Sequence, residues 1–252
     1  MPGGNKTIYV CSHCDAQFPK WTGRCLECGS WGTLAAKTSD QREEKKEARK
    51  KTAAAELIDL SQVSALSLSR LETGIGEVDR VLGGGLVPGS LVLLSGEPGI
   101  GKSTLVAQIA SSLGGRYQAI YASGEESAAQ VKNRLDRLSC KLDNLKFISE
   151  TNVDKICASA LKAAPDILII DSIQTVYSPD VISEAGSIPQ IRAAAVRFLE
   201  LAKENDIAIL IIGHITKDGT LAGPKSLEHI VDTVLYLESE TSNNYCLLRG
   251  TK

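Results

Sequence analysis

The residues from Gly96 to Ser103 have the types and spacing that hold the phosphates of a nucleotide. They read GEPGIGKS, the pattern G-x-x-x-x-G-K-S, and Thr104 follows them. Glycines let backbone N–H groups turn inward around phosphate oxygens, Lys102 would bridge the terminal phosphates, and the Ser103 hydroxyl would hold Mg²⁺. A chance glycine-rich turn is the alternative, which the flanking strand and helix patterns disfavour. We predict that ATP binds to Gly96, Glu97, Pro98, Gly99, Ile100, Gly101, Lys102, Ser103 and Thr104.

Two acidic residues at predicted strand ends would complete a site for ATP hydrolysis. Asp171 follows the apolar run 167–170 and has the place of a Walker B acid, which holds the Mg²⁺ shell. Glu125 follows a strand predicted over 117–122 and could activate the attacking water, with Glu126 as the alternative base. An N-cap or surface role is the competing interpretation, and the apolar strand and Ser172 disfavour it more for Asp171 than for Glu125. We predict that Lys102, Glu125 and Asp171 are catalytic.

His214 stands at the tip of a further apolar strand predicted over 207–212. From there its side chain could contact the nucleotide and report the state of the γ-phosphate to the loop that follows. A histidine without that role fits the position equally well, so both interpretations stay open.

Four cysteines near the N-terminus have the spacing of a metal site. Cys11-x₂-Cys14 and Cys25-x₂-Cys28 are separated by ten residues. Two such pairs can offer four thiolates to one tetrahedral Zn²⁺, and Trp21 and Trp31 are expected to cover a core that is too small to stand without metal. Disulfides are the weaker alternative, because no secretory signal is present. His13 is expected at the surface rather than as a fifth ligand.

The elements that must position these residues alternate between strand and helix after the phosphate-binding loop. Apolar strand patterns occur near 91–94, 117–122, 145–149, 166–172 and 207–212, with amphipathic helices between them, and two further strands near 231–237 and 245–248. Leu161 is expected to face inward on the helix over 153–164. Alternation of this kind predicts a mainly parallel sheet that helices cover on both faces, with ligands at the carboxyl ends of the strands.

Composition limits the classes of protein that this chain can belong to. It has 252 residues, of which 43% are hydrophobic and only 4% aromatic, with a net charge of −2. No apolar run is long enough to cross a membrane, so we expect a soluble cytoplasmic protein without a membrane partner. The bulk charge gives no argument for nucleic acid binding, and a local patch would be required. Residues 37–51 carry seven basic and four acidic side chains and are expected to form a solvated linker.

Several motifs together resemble the RecA core, which strand-exchange recombinases, DnaB-type helicases and KaiC-like ATPases share. They are Thr73-Gly74, Asp79, the Leu82-Gly-Gly-Gly turn, Glu125 and Asp171-Ser172. The Cys₄ ribbon and the phrases YASGEES, DSIQTVYSP and GHITKDGTLAGPKSLEHIVDTVLYLE are similar to the RadA (Sms) family of bacterial DNA-repair proteins. The resemblance implies an α/β fold, a RecA-like P-loop NTPase core with a mainly parallel sheet behind a small Cys₄ zinc ribbon. The domains would be the ribbon over 1–36, a charged linker over 37–56 and the ATPase over 57–252.

This family resemblance also implies a function. It implies a DNA-dependent ATPase that promotes branch migration of recombination intermediates, with ATP, Mg²⁺ and Zn²⁺ as cofactors. The implied partners are single-stranded or branched DNA, the RecA recombinase and further copies in a hexameric ring. Loops over 178–187 and 217–225 would face the DNA, although plain surface loops would be the default interpretation without the resemblance.

Members of the family continue into a Lys-Asn-Arg-Phe-Gly signature and a Lon-protease-like domain, whereas this sequence stops at Lys252. We therefore expect a C-terminally truncated ATPase domain that binds nucleotide but hydrolyses it slowly. Two other function classes stay open: a KaiC-like regulatory ATPase, and a zinc-ribbon adaptor with an ATP switch and no DNA motor activity.

Overall fold

The computed structural model describes residues 8–14, 16–37, 59, 69–113, 116–214, 226–240 and 245–252. The chain divides into two units, Met1–Ser67 and Leu68–Lys252. The predicted linker lies outside the described residues except for Lys37, and so does the whole of the predicted loop 217–225. The domain boundaries that we expect from the sequence therefore stay a prediction.

The N-terminal unit contains a small antiparallel sheet in the strand order β2-β1-β3. Its strands are β1 (Ile8–Cys11), β2 (Gln17–Phe18) and β3 (Leu34–Lys37). The expectation that the two tryptophans cover the core is wrong, because Trp21 is 59% and Trp31 76% exposed. Among the described residues, the interior is formed instead by Cys11, Cys25 and Leu34, and both indoles lie beside Gly23.

The described residues of the larger unit form a seven-stranded sheet in the order β10-β9-β4-β8-β7-β5-β6, and among these strands only β10 runs antiparallel to its neighbour. The strands are β4 (Leu91–Gly96), β5 (Ala119–Ser123), β6 (Leu145–Ile148), β7 (Ile167–Asp171), β8 (Ala208–His214), β9 (Thr233–Glu240) and β10 (Tyr245–Gly250). The helices are α1 (Gly76–Val81), α2 (Lys102–Leu113), α3 (Ala128–Arg137), α4 (Val153–Ala163) and α5 (Ile188–Asn205). The predicted, mainly parallel α/β fold is confirmed.

Side chains alternate between two cores, one on each face of this sheet. Leu91, Leu93 and Ile170 belong to the core under α4 and α5, whereas Val92, Leu94 and Ile169 belong to the core under α2 and α3. β4 and β7 are buried along their whole length, as continuous aliphatic runs predict for strands covered on both faces. This burial holds the strand ends, and the loops that leave them, in fixed positions.

One residue of the predicted core faces water instead. Leu161 is 52% exposed, so its expected inward orientation is wrong. The buried stripe of α4 consists of Val153, Ile156, Cys157 and Ala160, which follow the i, i+3, i+4, i+7 spacing of one helix face. Leu161 comes one residue after the last of these and therefore points roughly 100° away around the helix axis.

Candidate active site

The predicted catalytic residues meet at one edge of the sheet, where four neighbouring parallel strands end. Gly96 at the end of β4 is paired with His214 at the end of β8, and Ser123 at the end of β5 is paired with Asp171 at the end of β7. The phosphate-binding loop leaves β4 at this edge, and Glu125 follows β5. Ligands bind at such carboxyl ends in open α/β sheets.

Lys102 is the first residue of α2 and is almost completely buried. Its ammonium donates hydrogen bonds to the carbonyl oxygens of Gly96 at 2.9 Å and Glu97 at 2.8 Å, so the side chain folds back over the loop. Burial lowers the pKa of Lys102, and the charges of Asp171 and Glu125 oppose that shift. Among the described residues, no carboxylate is in hydrogen-bonding contact with Lys102, so this buried cation is suited to an anionic ligand such as a nucleotide phosphate.

Glycine is required at different positions of the phosphate-binding loop for different structural reasons. Gly99 and Gly101 have φ of 78° and 105°, a region that residues with a Cβ rarely adopt. A Cβ at Gly96 would overlap the carbonyl oxygen of Leu237 on β9. The loop therefore depends on glycine both for its turn and for the close approach of β9.

Asp171 is buried and is held by two side chains from neighbouring elements. The Tyr121 hydroxyl on β5 donates a hydrogen bond of 2.5 Å to Asp171 Oδ2, and Arg134 Nη2 on α3 lies 3.8 Å from the same oxygen. Arg134 also donates to the Tyr121 oxygen at 3.1 Å and forms an ion pair of 2.5 Å with Glu126. Burial and the charge of Asp171 raise the pKa of Tyr121, so the phenol keeps its proton and acts as the donor.

Glu125 and Glu126 have different surroundings, which favours Glu125 as the base. The Ser172 hydroxyl donates a hydrogen bond of 2.5 Å to Glu125 Oε1, and His214 Nε2 lies 3.7 Å from that oxygen. Glu126 is committed to its ion pair with Arg134. The structure thus brings Lys102, Asp171, Glu125 and His214 together, and the supporting role that the sequence favours for Glu126 stays a prediction with which its ion pair agrees.

His214 is half-buried between the charged groups of the site. Burial and the neighbouring Lys102 charge lower the pKa of His214, although Glu125 and Asp171 oppose this, so the imidazole is neutral near pH 7. Gln174 donates a hydrogen bond of 3.3 Å to the His214 carbonyl oxygen. Gln174 lies in a 3-10 turn (Ile173–Thr175) that follows β7. The ends of β7 and β8 are therefore tied to each other beside the site.

Sequence reasoning missed Tyr121, Arg134 and Gln174 as members of the site. Tyr121 reads as an ordinary strand residue, and Arg134 as one of several basic side chains on a helix. A signal was present for Arg134, because it falls on the same helical stripe as the buried Val131 and Leu135, where an unpaired cation would be unfavourable. Its partners could not be deduced from spacing.

The donor set fits a magnesium nucleotide. Lys102 and the backbone at the start of α2 would contact the phosphates, and the Ser103 hydroxyl and Asp171 carboxylate would hold Mg²⁺, which prefers oxygen ligands. When bound, the ion supplies charge neutralisation between the phosphate oxygens. If a nucleotide binds in this way, Lys102 would supply positive charge, Asp171 an oriented carboxylate, and Glu125 a carboxylate that could take a proton from water.

The second candidate site is the cysteine cluster of the N-terminal unit. The Sγ atoms of Cys11, Cys14, Cys25 and Cys28 all lie within 4.8 Å of one another, with 3.7 Å from Cys11 to Cys28 and 3.5 Å from Cys14 to Cys25. Tetrahedral coordination at a Zn–S distance of about 2.3 Å requires sulfurs roughly 3.8 Å apart. All seven cysteines are free, so the disulfide alternative is excluded and the set fits Zn²⁺. The His13 side chain is half-buried, so it is less exposed than the sequence led us to expect. Its Nδ1 atom has no hydrogen-bond partner in the described part of the chain.

Comparison with known families agrees with this geometry. Residues 58–220, about two thirds of the chain, match the AAA domain family. The chain belongs to this family. Residues 9–36 match the rubredoxin metal binding domain, which covers the four cysteines. An ATPase domain behind a zinc ribbon, as the motifs predict, is confirmed.

Curated relatives carry the name DNA repair protein RadA. Those of Pseudomonas aeruginosa and Streptococcus pyogenes are each 45% identical over 98% of this chain, and that of Haemophilus influenzae is 42% identical over 100% of this chain. These matches confirm the predicted resemblance to RadA and the RecA-like ATPases. The chain spans about half the length of these relatives, 54–56%.

A solved structure shows the same fold at low sequence identity. The flagellar accessory protein FlaH from Methanocaldococcus jannaschii aligns with a TM-score of 0.56 over 73% of this chain and 88% of FlaH, at 18% identity. No helix in the described segments is long and apolar enough to cross a membrane.

Proposed function

We propose that this chain is the ATP-hydrolysing part of a DNA-dependent motor that acts in DNA repair. The observation that carries the proposal is the meeting of Lys102, Asp171 and Glu125 at one sheet edge, in a chain 45% identical to proteins named for DNA repair. In this proposal Lys102 binds the terminal phosphates, Asp171 and Ser103 hold Mg²⁺, and Glu125 activates the attacking water. Hydrolysis would drive movement on single-stranded DNA and branch migration of recombination intermediates.

The DNA-facing elements are proposed to be the loops 178–187 and 217–225. Of these, only 178–187 is described, and Gln190 organises it through hydrogen bonds to Ser178, Val181 and Ser183. This loop carries Asp180 and Glu184 but no basic side chain, so it has no cation for a phosphate. The phosphate contacts are therefore assigned to Lys217 and Lys225 in the second loop, which begins just after His214.

The working form is proposed to be a hexameric ring in the cytoplasm that acts on single-stranded or branched DNA beside the RecA recombinase. Support for these partners comes from the family resemblance and from the relatives' names. The position of His214 supports a coupling between ATP hydrolysis and DNA binding, because it lies 3.7 Å from Glu125 and comes shortly before the second loop in the sequence. In this proposal it passes the state of the γ-phosphate to the DNA-binding segment.

The deciding experiment measures ATP turnover with and without single-stranded DNA. We expect DNA to stimulate turnover, Lys102→Ala to abolish it, and the pair Lys217→Ala and Lys225→Ala to keep basal turnover but lose stimulation. Binding of fluorescently labelled DNA at several salt concentrations provides the control, because loss of two phosphate contacts lowers the salt slope by about two units. Turnover that DNA does not alter would reject the motor.

An adaptor with an ATP switch is the second candidate. The specific observation in its favour is the exposure of two indoles on the ribbon, because exposed tryptophans are enriched at protein interfaces. A KaiC-like regulatory ATPase that does not act on DNA would give the same result as this adaptor in a turnover assay. Both alternatives predict ATP binding without DNA stimulation, which separates them from the motor in the experiment above.

A further inference from the structure

The hydrogen bond from Tyr121 to Asp171 joins two neighbouring strands inside the sheet. Tyr121 is completely buried, and its hydroxyl reaches Asp171 Oδ2 from the adjacent strand at 2.5 Å. Tyr121 is paired with Ile169, so Asp171 lies two residues farther along on the same face, which is the diagonal reach of a long aromatic side chain. The register of β5 and β7 thus sets where this carboxylate points.

Arg134 makes the second contact to the same carboxylate. Its Nη2 donates to the Tyr121 oxygen and lies 3.8 Å from Asp171 Oδ2, while Nη1 binds Glu126. Both Tyr121 and Arg134 therefore approach Oδ2, and no hydrogen bond from the described residues reaches Oδ1. One carboxylate oxygen is held by protein and the other is left for a ligand.

The arrangement is not one that stability alone would favour. Arg134 Nε is buried and has no hydrogen-bond partner among the described residues, and a buried guanidinium with an unpaired N–H costs folding free energy. Asp171 is likewise a buried charge, which replacement by an apolar side chain would relieve. A polar cluster that stability does not explain, next to a predicted Mg²⁺ ligand, points to a function in holding that ligand.

We propose that Tyr121 and Arg134 are positioning residues for the Mg²⁺ site, which they serve by fixing Asp171 through Oδ2 so that Oδ1 is presented to the ion. This inference rests on the proposed ATPase function and adds two residues to it. Groups that hydrogen-bond a metal ligand from behind set its orientation, and their loss typically lowers metal affinity on the order of tenfold or more. Neither residue needs to touch the nucleotide.

The test compares two variants that leave the net charge unchanged, Tyr121→Phe and Arg134→Lys. The first removes only the hydroxyl, and the second keeps the cation but loses the planar fork that reaches Tyr121, Asp171 and Glu126 together. The measurement is the equilibrium affinity of a slowly hydrolysed fluorescent ATP analogue, titrated against free Mg²⁺. Matched controls are Tyr117→Phe, before β5, and Arg137→Lys, at the end of α3.

We expect the free Mg²⁺ concentration at half-effect to rise about tenfold in both variants and to stay unchanged in both controls. Affinity for the analogue in EDTA should stay within about twofold of wild type, as should the midpoint of thermal unfolding within a few degrees. Unshifted Mg²⁺ dependence would overturn the inference while leaving the ATPase proposal intact. An equal loss of affinity in EDTA would overturn it as well, because it would show a general structural role. A wild-type chain whose ATP binding ignores Mg²⁺ would overturn the ATPase proposal, and this inference with it.

Discussion

At the scale of single residues, two neighbouring glutamates of the site differ in the side chains that they contact. Glu125 accepts from Ser172 and lies beside His214, whereas Glu126 binds the Arg134 guanidinium. These contacts support the proposal that Glu125 is the base and that Glu126 has a supporting role.

Replacing Glu125 by Gln should stop hydrolysis without preventing ATP binding. Loss of a positioned base costs on the order of 10²–10⁴-fold in rate, while the phosphate-binding loop and Lys102 stay intact. Single-turnover hydrolysis measured beside equilibrium ATP binding checks this expectation. Glu126→Gln is the matched control, and a larger rate loss in that variant would exchange the two roles.

At the scale of elements, the phosphate-binding loop depends on strands that flank it. β4 is hydrogen-bonded to β8 on one side and to β9 on the other as far as Gly96, so the loop leaves a strand that is fixed from both sides. β9 approaches so closely that there is no space for a Cβ at Gly96. The shape of the loop is thus set partly by a strand more than a hundred residues later in the chain.

Gly96→Ala should distort this junction and weaken nucleotide binding. Because the added methyl would overlap the Leu237 backbone, we expect the free energy of unfolding to fall by about 1–3 kcal/mol, as for overpacked cores. Urea denaturation followed by circular dichroism, together with ATP binding, measures both effects. Gly76→Ala at the start of α1 is the control, since its Cβ would meet nothing within 4 Å. Equal stability of the two variants would contradict the steric explanation.

At the scale of the whole molecule, the two units rest on different sources of stability. Within residues 8–14 and 16–37, the N-terminal unit has a core of three buried residues, two of which are cysteines of the metal cluster. The ATPase unit has two extensive aliphatic cores on its sheet. We therefore expect Zn²⁺ to be essential for the folding of the N-terminal unit and not for the folding of the ATPase unit.

Removing metal should unfold the ribbon alone. Both tryptophans of the chain, Trp21 and Trp31, lie in the ribbon, so their fluorescence anisotropy reports on this unit. We expect a strong chelator, or Cys25→Ser, to lower the anisotropy, while far-ultraviolet circular dichroism and thermal unfolding of the ATPase unit stay the same. Cys246→Ser, at an exposed cysteine outside the cluster, should change neither signal. Loss of helical signal on chelation would contradict independent stability.

Much of the fold and part of the site were predictable because they depend on local patterns. Continuous aliphatic runs predicted the buried strands, and the glycine and lysine spacing predicted the loop with Lys102. The predicted positions of Trp21, Trp31 and Leu161 were wrong. The hydrophobicity of a residue does not show how much interior space its domain has. It also does not show which residues of a helix form the buried face. In the described part of the ribbon, Cys11, Cys25 and Leu34 form the buried interior, and both indoles lie outside it.

By itself, the sequence determined which residue types stand together in motifs, and these motifs predict a phosphate-binding loop, a Walker B acid and four metal-binding thiols. Residues within one motif are neighbours in the chain, so their spacing alone constrains their geometry. Only the tertiary structure decided which side chains support them. Tyr121 and Asp171 are 50 residues apart and meet because β5 pairs with β7, and Arg134 joins them because α3 packs on that face. Such contacts depend on strand order and register, which no local pattern specifies.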